Sequence, residues 1–421
     1  MRILYTTLFY LLLPFILFRL YWRGFKAPEY RKRWKERLAF YPPKYPVDVI
    51  WIHAVSVGEA EAVFPLLKQL QADFPSDKFL ITCTTPTGSA RIHAVLGDDV
   101  SHVYLPYDLP IVVHRFLAVF KPKIAIIMEK EIWPNLYAQC AKNNIPLMII
   151  NARLSANSAK GYKKIPALIK PALANVSWLV TQTEEDKARF IEIGAKAECI
   201  ETSGNMKFDL VIDAHIIQQA QEIKKNSFAN RFVWLIASTH ENEEDIFLEI
   251  YPQLKQQIPE LLLLIVPRHP ERFNAVKQLV EKMQLTVCMR STGLQCLAET
   301  DVYIADTMGE LKLLYGVADV CFVGGSMVPV GGHNILEPAA MGVPILFGPY
   351  MVNFKEISNN VLALDAAIQC TSKDQIITTF VQLYNDPDYR KNVAFKAKDF
   401  VIQNQGATKK TAKIIQRILD K

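Results

Sequence analysis

The residues best suited to chemistry sit where apolar runs give way to short polar or glycine-rich segments. His53-Ala54-Val55-Ser56-Val57-Gly58-Glu59 ends the run from Val49 and places Glu59 in the first turn of a helix. A carboxylate there can act as a general base, or it can do no more than complement the positive end of the helix dipole. Glu129 ends the run Ile124–Met128, within Met128-Glu129-Lys130-Glu131-Ile132-Trp133-Pro134-Asn135. An acid at a strand tip needs a partner or a function, and Lys207, in Gly204-Asn205-Met206-Lys207-Phe208-Asp209, is its natural countercharge unless it serves an anionic ligand.

The densest signal is VGGSMVPVGGHNILEPAAMGVPILFGP, from Val323 to Pro349. Gly324-Gly325-Ser326 ends a strand where backbone must approach something closely, and Gly331-Gly332-His333-Asn334 precedes a helix that starts near Ile335 and breaks at Gly342. Amides at such a helix start suit a phosphate, and Glu337 can accept from ribose hydroxyls. The plainer alternative is a glycine-rich turn with Asn334 as its cap. Thr307-Met308-Gly309-Glu310 repeats the strand-to-turn pattern, either as further amides for the same nucleotide or as a cap formed by Thr307 with Glu310. Arg268, in Val266-Pro267-Arg268-His269-Pro270, suits a charge-assisted pair with phosphate or carboxylate.

These groups need strands to hold them, and the chain supplies runs that alternate with amphipathic helices. Strands are expected at Val49–Val55, Lys78–Thr85, Val103–Leu105, Ile124–Met128, Leu147–Asn151 and Trp178–Thr181. A second set is expected at Phe232–Ala237, Leu261–Val266, Thr286–Met289, Val302–Ala305, Val320–Gly324 and Pro344–Phe347. The alternation predicts an α/β protein of two doubly wound domains facing a cleft, and apolar runs such as LLLLIV indicate parallel strands buried on both faces. The segments are 1–22 (membrane anchor), 23–48 (basic juxtamembrane stretch, leading through Pro42-Pro43 into the strands), 49–208 and 231–405 (the two domains), 209–230 (a polar helical linker) and 406–421 (a closing amphipathic helix).

Half of the 421 residues are hydrophobic and 21% are charged, which excludes a disordered or fibrous chain. The net charge of +6 is local: residues 1–40 hold nine basic and two acidic residues, leaving the remainder near −1. Basicity beside an apolar segment argues for a membrane surface and against nucleic acid. Ile3 to Phe18 is uncharged and runs into Arg19, Tyr21, Trp22 and Arg23, with no small-residue cleavage site. Such a run either just spans a bilayer, tilted, with the body inside by the positive-inside rule, or lies in the interface around Pro14. The seven scattered cysteines form no CxxC pair, so neither a disulfide framework nor a zinc site is expected. GxGxxG, Walker and HExxH motifs are absent. Asp386-Pro387-Asp388 precedes a helix start and reads as a capped turn, not as a metal-binding DxD.

Taken in order, these motifs resemble the 3-deoxy-D-manno-octulosonic acid (Kdo) transferase family of lipid A biosynthesis. The resemblance runs from RWKERLAFYP through HAVSVGEAEA, MEKEIWPNL, NARLS, GNMKFD, ASTHENEE, VPRHPERF and DTMGEL to the glycine-rich stretch, nearly the whole chain. It implies a GT-B type fold and an inverting, metal-independent glycosyltransferase. This enzyme would move Kdo from CMP-Kdo to the glucosamine disaccharide of the lipid A precursor lipid IVA, releasing CMP and using no cofactor. It implies an acceptor-binding domain at 49–208 and a CMP-sugar-binding domain at 231–405. By the same resemblance Glu59 is the general base, and Glu129 and Lys207 support the transition state. Arg268, His269, Met308, Gly309, Glu310, Asn334, Ile335, Leu336 and Glu337 contact CMP. Lys130 stands where the family commonly has Thr. The implied location is the inner membrane of a Gram-negative cell, with the body against an anionic cytoplasmic surface. Two rivals stand beside this reading: a soluble nucleotide-sugar epimerase of the same architecture, which has no need of residues 1–40, and a non-catalytic scaffold, which would tolerate loss of Glu59.

Overall fold

A computed structural model describes the chain except Pro43, Lys44, Gln295 and Lys421, and the side chain of Lys26. Pro43, in the expected Pro42-Pro43 boundary, therefore lies outside the described residues. The chain divides into two compact units, 1–209 with 404–421, and 210–403.

In the first unit the strands are β1 (Val49–His53), β2 (Lys78–Cys83), β3 (Ser101–Tyr104), β4 (Ile124–Met128), β5 (Leu147–Ala152), β6 (Trp178–Thr181) and β7 (Ile200–Thr202). They pair in parallel in the order β3-β2-β1-β4-β5-β6-β7. Both faces are covered, so successive residues of one strand enter different cores: Val49 and Trp51 pack with Phe116 and Phe120, and Ile50 and Ile52 with Leu66 and Leu70. The second unit repeats the plan with β8 (Phe232–Thr239), β9 (Leu261–Pro267), β10 (Val287–Met289), β11 (Val302–Ile304), β12 (Val320–Val323), β13 (Ile345–Phe347) and β14 (Ile368–Gln369), in the order β10-β11-β9-β8-β12-β13-β14. All twelve expected strands are present within two residues at either end. The edge strands β7 and β14 were not expected, because two or three residues carry too little burial pattern to be seen.

In each sheet the strand order reverses at the centre, between β1 and β4 and between β8 and β12; in the second sheet β10 and β11 are also exchanged at the edge. This switch point opens a crevice at the carboxyl ends of the strands, where ligands of doubly wound sheets bind.

One segment differs from expectation, and the closing helix, expected as a helix, gains its docking place. The polar stretch 209–230 is no linker: its helix Ala214–Ser227, capped by Asp213 on the His215 amide at 2.9 Å, belongs to the second unit. It packs so closely that a Cβ on Gly316 would lie 2.5 Å from that of Ala220. The closing helix Ala407–Leu419 returns to the first unit, adding Ala412, Ile414 and Ile415 to a core, while the Asp209 carboxylate accepts from the Gly406 amide at 2.6 Å and from that of Thr408. Its apolar stripe is evident in sequence, but the surface that receives it is assembled only by the sheet.

Candidate active site

At the first switch point, Ser56 precedes the helix Val57–Asp73 without its hydroxyl capping it. Glu59 instead reaches back out of the first turn, its Oε2 accepting from the Val55 amide at 2.7 Å. The carboxyl is pushed up to about 8, first by burial and then by the charge of Glu129, against the Val55 bond and the more distant Lys207. Glu129 follows β4 with φ +58, a left-handed conformation costly for a side chain of this size. Its Oε1 accepts from Lys207 Nζ at 2.8 Å. Lys207 sits in the turn Met206–Phe208, which Asn205 caps, and the Asn151 side chain holds the Met206 amide at 3.0 Å. Thus Glu59, Glu129 and Lys207, predicted from three separate motifs, come together at the carboxyl edge of one sheet. Two fully buried polar atoms at neighbouring strand ends, His53 Nε2 and Asn151 Nδ2, have no hydrogen-bond partner among the described residues. Burial holds His53 down to about 4, so its ring is neutral near pH 7.

The second unit carries its predicted residues beyond the carboxyl ends of three strands, β11, β9 and β12, with β8 lying between the last two. Residues His240–Glu244, after β8, were not singled out, although they lie in the ASTHENEE motif. The fully buried Glu243 carboxylate accepts from the amides of Gly325 (2.7 Å), Met327 (3.0 Å) and Ser326 (3.1 Å), and from that of His240 (3.2 Å). The close approach that Gly324 and Gly325 imply is therefore to an internal anion. A Cβ on Gly324 would fall 2.7–2.9 Å from two carbonyl oxygens and from Glu243 itself. The Gly331 and Gly332 amides donate to the Gly325 carbonyl, and Asn334 caps the Leu336 amide at 3.0 Å, so several amides expected to face a phosphate are engaged within the turn. Glu244, also fully buried, takes both nitrogens of Arg272 at 2.6 and 2.9 Å.

What remains for an anion is one arginine and a cluster of imidazoles. His240 and His333 meet at 2.8 Å between Nε2 atoms, the His269 ring lies 5.4 Å from that of His240, and exposed Arg268 is close enough to depress His333. Burial first, then the neighbouring His240, Arg268 and His269, hold His333 down to about 4, so its ring is neutral near pH 7 and Arg268 is left to meet an incoming phosphate or carboxylate. Met308 is exposed, and Glu310 is engaged by Arg290, with both oxygens at 2.6 Å, which lowers its proton affinity. The Thr307 hydroxyl meets the Glu310 carboxylate in place of capping an amide. At Asp386 the carboxylate accepts from the Tyr389 amide at 2.9 Å, the capped turn expected there. Among the described residues no group of three or more His, Cys, Asp or Glu side chains could hold a metal ion.

The family model described as 3-deoxy-D-manno-octulosonic-acid transferase (kdotransferase) matches residues 32–210. A 3-deoxy-D-manno-octulosonic acid transferase of Haemophilus influenzae is 39% identical over 422 aligned positions, covering 100% of this chain and 97% of its own. The chain belongs to the Kdo transferase family. A Bordetella pertussis transferase is 33% identical, with 86% of this chain and 85% of its own covered. This protein is therefore a glycosyltransferase, and the scaffold reading loses its ground. Among solved structures, the UDP-GlcNAc 2-epimerase of Neisseria meningitidis has a TM-score of 0.57 at 16% identity, covering 89% of this chain and 99% of its own. A Rickettsia africae glycosyltransferase has 0.55 at 15%, with 89% and 99% covered. At such identities the likeness shows the fold alone, of GT-B type, and gives the epimerase reading no support.

The transferase opens with the helix Arg2–Lys26, long and apolar enough to cross a membrane. The basic stretch after it is less available than its composition suggests. Arg33 is tied to Glu36 at 2.7 and 3.0 Å and to the His102 carbonyl at 2.8 Å. Arg37 is buried, with its guanidinium on the Thr84 carbonyl and 4.3 Å from the Tyr104 ring centre.

Proposed function

We propose that the transferase moves Kdo from CMP-Kdo to a glucosamine hydroxyl of the lipid A precursor lipid IVA, with inversion and without a metal ion. The observation that carries the reading is the partly buried carboxyl of Glu59, held by the Val55 amide beside the Glu129–Lys207 pair. A carboxylate pushed up to about 8 is a stronger base than an ordinary one for the proton of an alcohol, and it acts in the deprotonated fraction that grows as pH rises through about 8. In the proposed step the acceptor oxygen bonds to the anomeric carbon of Kdo, the carbon–oxygen bond to CMP breaks, and the hydroxyl proton passes to Glu59. The departing phosphate is a dianion. Arg268 supplies the positive charge for it, with the rings of His269, His240 and His333 beside it as hydrogen-bonding groups, and Asn334–Glu337 hold the nucleoside. Lys207 and Glu129 fix the position of the transferring sugar. The acceptor belongs to the first unit and the nucleotide to the second.

We place the transferase on the cytoplasmic face of the inner membrane, held there by the helix Arg2–Lys26. The test incubates full-length protein with lipid IVA and CMP-Kdo, with and without EDTA, and follows the lipid by mass spectrometry. A mass increase of one or more Kdo residues, unaffected by chelation, is expected. An unchanged lipid overturns the acceptor assignment, and loss of product with EDTA overturns metal independence.

A further inference from the structure

Along the helix Arg2–Lys26, the partly covered residues Tyr5, Thr6, Phe9, Leu13, Ile16, Leu17 and Leu20 recur at helical spacing, and Leu4, Leu8, Leu11, Phe15, Phe18 and Trp22 are exposed on the opposite face. The covered stripe faces the first unit. Thr6 exchanges hydrogen bonds with the Asn135 side chain at 2.9 and 3.1 Å, Phe9 lies 6.2 Å from the Tyr107 ring, and Phe9 and Leu13 pack on a core. With the helix docked as far as Leu13, the residues beyond it amount to about 20 Å of helix at 1.5 Å each, short of a bilayer core of about 30 Å. The helix therefore lies in the membrane plane, with its apolar face toward the acyl chains.

Between the start of this helix and Pro134–Lys142 is a cavity of about 390 Å³. Arg2 and Lys142 line it, with Thr6, Thr7, Asn135 and Gln139 as polar groups and Ile3 and Tyr10 as apolar ones, and no carboxylate is in its lining. Neither cation makes an ion pair among the described residues. The buried Asp108 is not in the lining: its carboxylate accepts from the amides of Asn135 and Leu136 at 3.0 and 2.7 Å and from the Tyr5 hydroxyl, and it feels the charge of Arg2.

We propose that this cavity binds the phosphate headgroup of an anionic membrane phospholipid, with Arg2 and Lys142 on the phosphate and the acyl chains running along the exposed face of the helix. Two cations without a contact ion pair, facing a pocket that has no carboxylate in its lining and only the already hydrogen-bonded Asp108 near Arg2, fit that occupant by charge and, at the edge of a lipid-facing surface, by position. The proposal rests on the membrane placement above, and its test separates the two. Full-length protein in neutral detergent is titrated by calorimetry with monomeric dihexanoylphosphatidylglycerol. A saturable single site is expected. It should weaken at least tenfold in Arg2→Gln/Lys142→Gln and stay within twofold in the control Arg19→Gln/Lys35→Gln, whose cations lie outside the cavity. Lys142→Glu, at an exposed position that does not endanger folding, should abolish it. Equal loss in both double variants, no loss in the first, or inorganic phosphate binding as tightly as the lipid would overturn the site. Flotation on phosphatidylcholine vesicles is the separate check: both double variants should float like the parent, and a parent that fails to float would refute the membrane placement instead.

Discussion

Lys207 Nζ lies 2.8 Å from Glu129 Oε1, so a residue in a short turn holds the charge of one that leaves its strand in a left-handed conformation. The pair is partly exposed, and its worth to stability is small. Its consequence is electrostatic, because both charges act on Glu59: Glu129 raises its proton affinity and Lys207 lowers it.

The rate should follow that balance. With a base held at about 8, kcat/KM is expected to rise between pH 6.5 and 8.5 and then level off. Glu129→Gln should move the midpoint down and Lys207→Met should move it up, whatever each does to the maximum. Shifts in the same direction in both variants would reject the electrostatic coupling.

Glu59→Gln keeps the bond to Val55 but cannot take a proton, so kcat should fall roughly 10²–10⁴-fold with CMP-Kdo affinity little changed. The same change should stabilise the fold. A carboxyl whose proton affinity is higher folded than unfolded costs nothing below about pH 4.5 and progressively more as pH rises to about 8. The melting temperature of the variant should match the parent at pH 4 and exceed it at pH 8, as read by scanning calorimetry.

Glu243→Gln removes an anion that accepts from four backbone amides. A cost of about 2–4 kcal/mol is expected from donors left unsatisfied, and CMP affinity should fall with it because the glycine turn loses its template. An unchanged melting curve would show that the turn stands without this carboxylate.

Glu337→Ala should weaken CMP by about 1–3 kcal/mol with the fold retained. Equal affinity in a calorimetric titration would remove this residue from the nucleotide site.

Full-length protein should resist extraction from membranes by high salt and require detergent, because the apolar face of the helix Arg2–Lys26 is not screened by ions. Release by salt alone would mean that attachment is electrostatic.

The sequence by itself determined much of this protein. Continuous apolar runs such as Leu261–Val266 could only be strands buried on both faces, and their alternation with helices fixed two doubly wound units. Glu59, Glu129 and Lys207 were legible because charged residues at the ends of such runs sit where a parallel sheet opens its crevice. What the sequence could not express is which distant group answers a local signal. The glycines at 324 and 325 announce a close approach, but only the sheet, by setting β8 beside β12, brings Glu243 to their amides. Arg33 and Arg37 read as part of a membrane-facing charge until the fold sets Glu36, Thr84 and Tyr104 against them. The amphipathic stripe of Ala407–Leu419 is local, whereas the first-unit core that receives it is drawn from strands and helices between Ile50 and Met206 and exists only when folded. The proton affinity of Glu59 is likewise a tertiary property, since burial and the charge of Glu129 raise it and neither is encoded within its own helix.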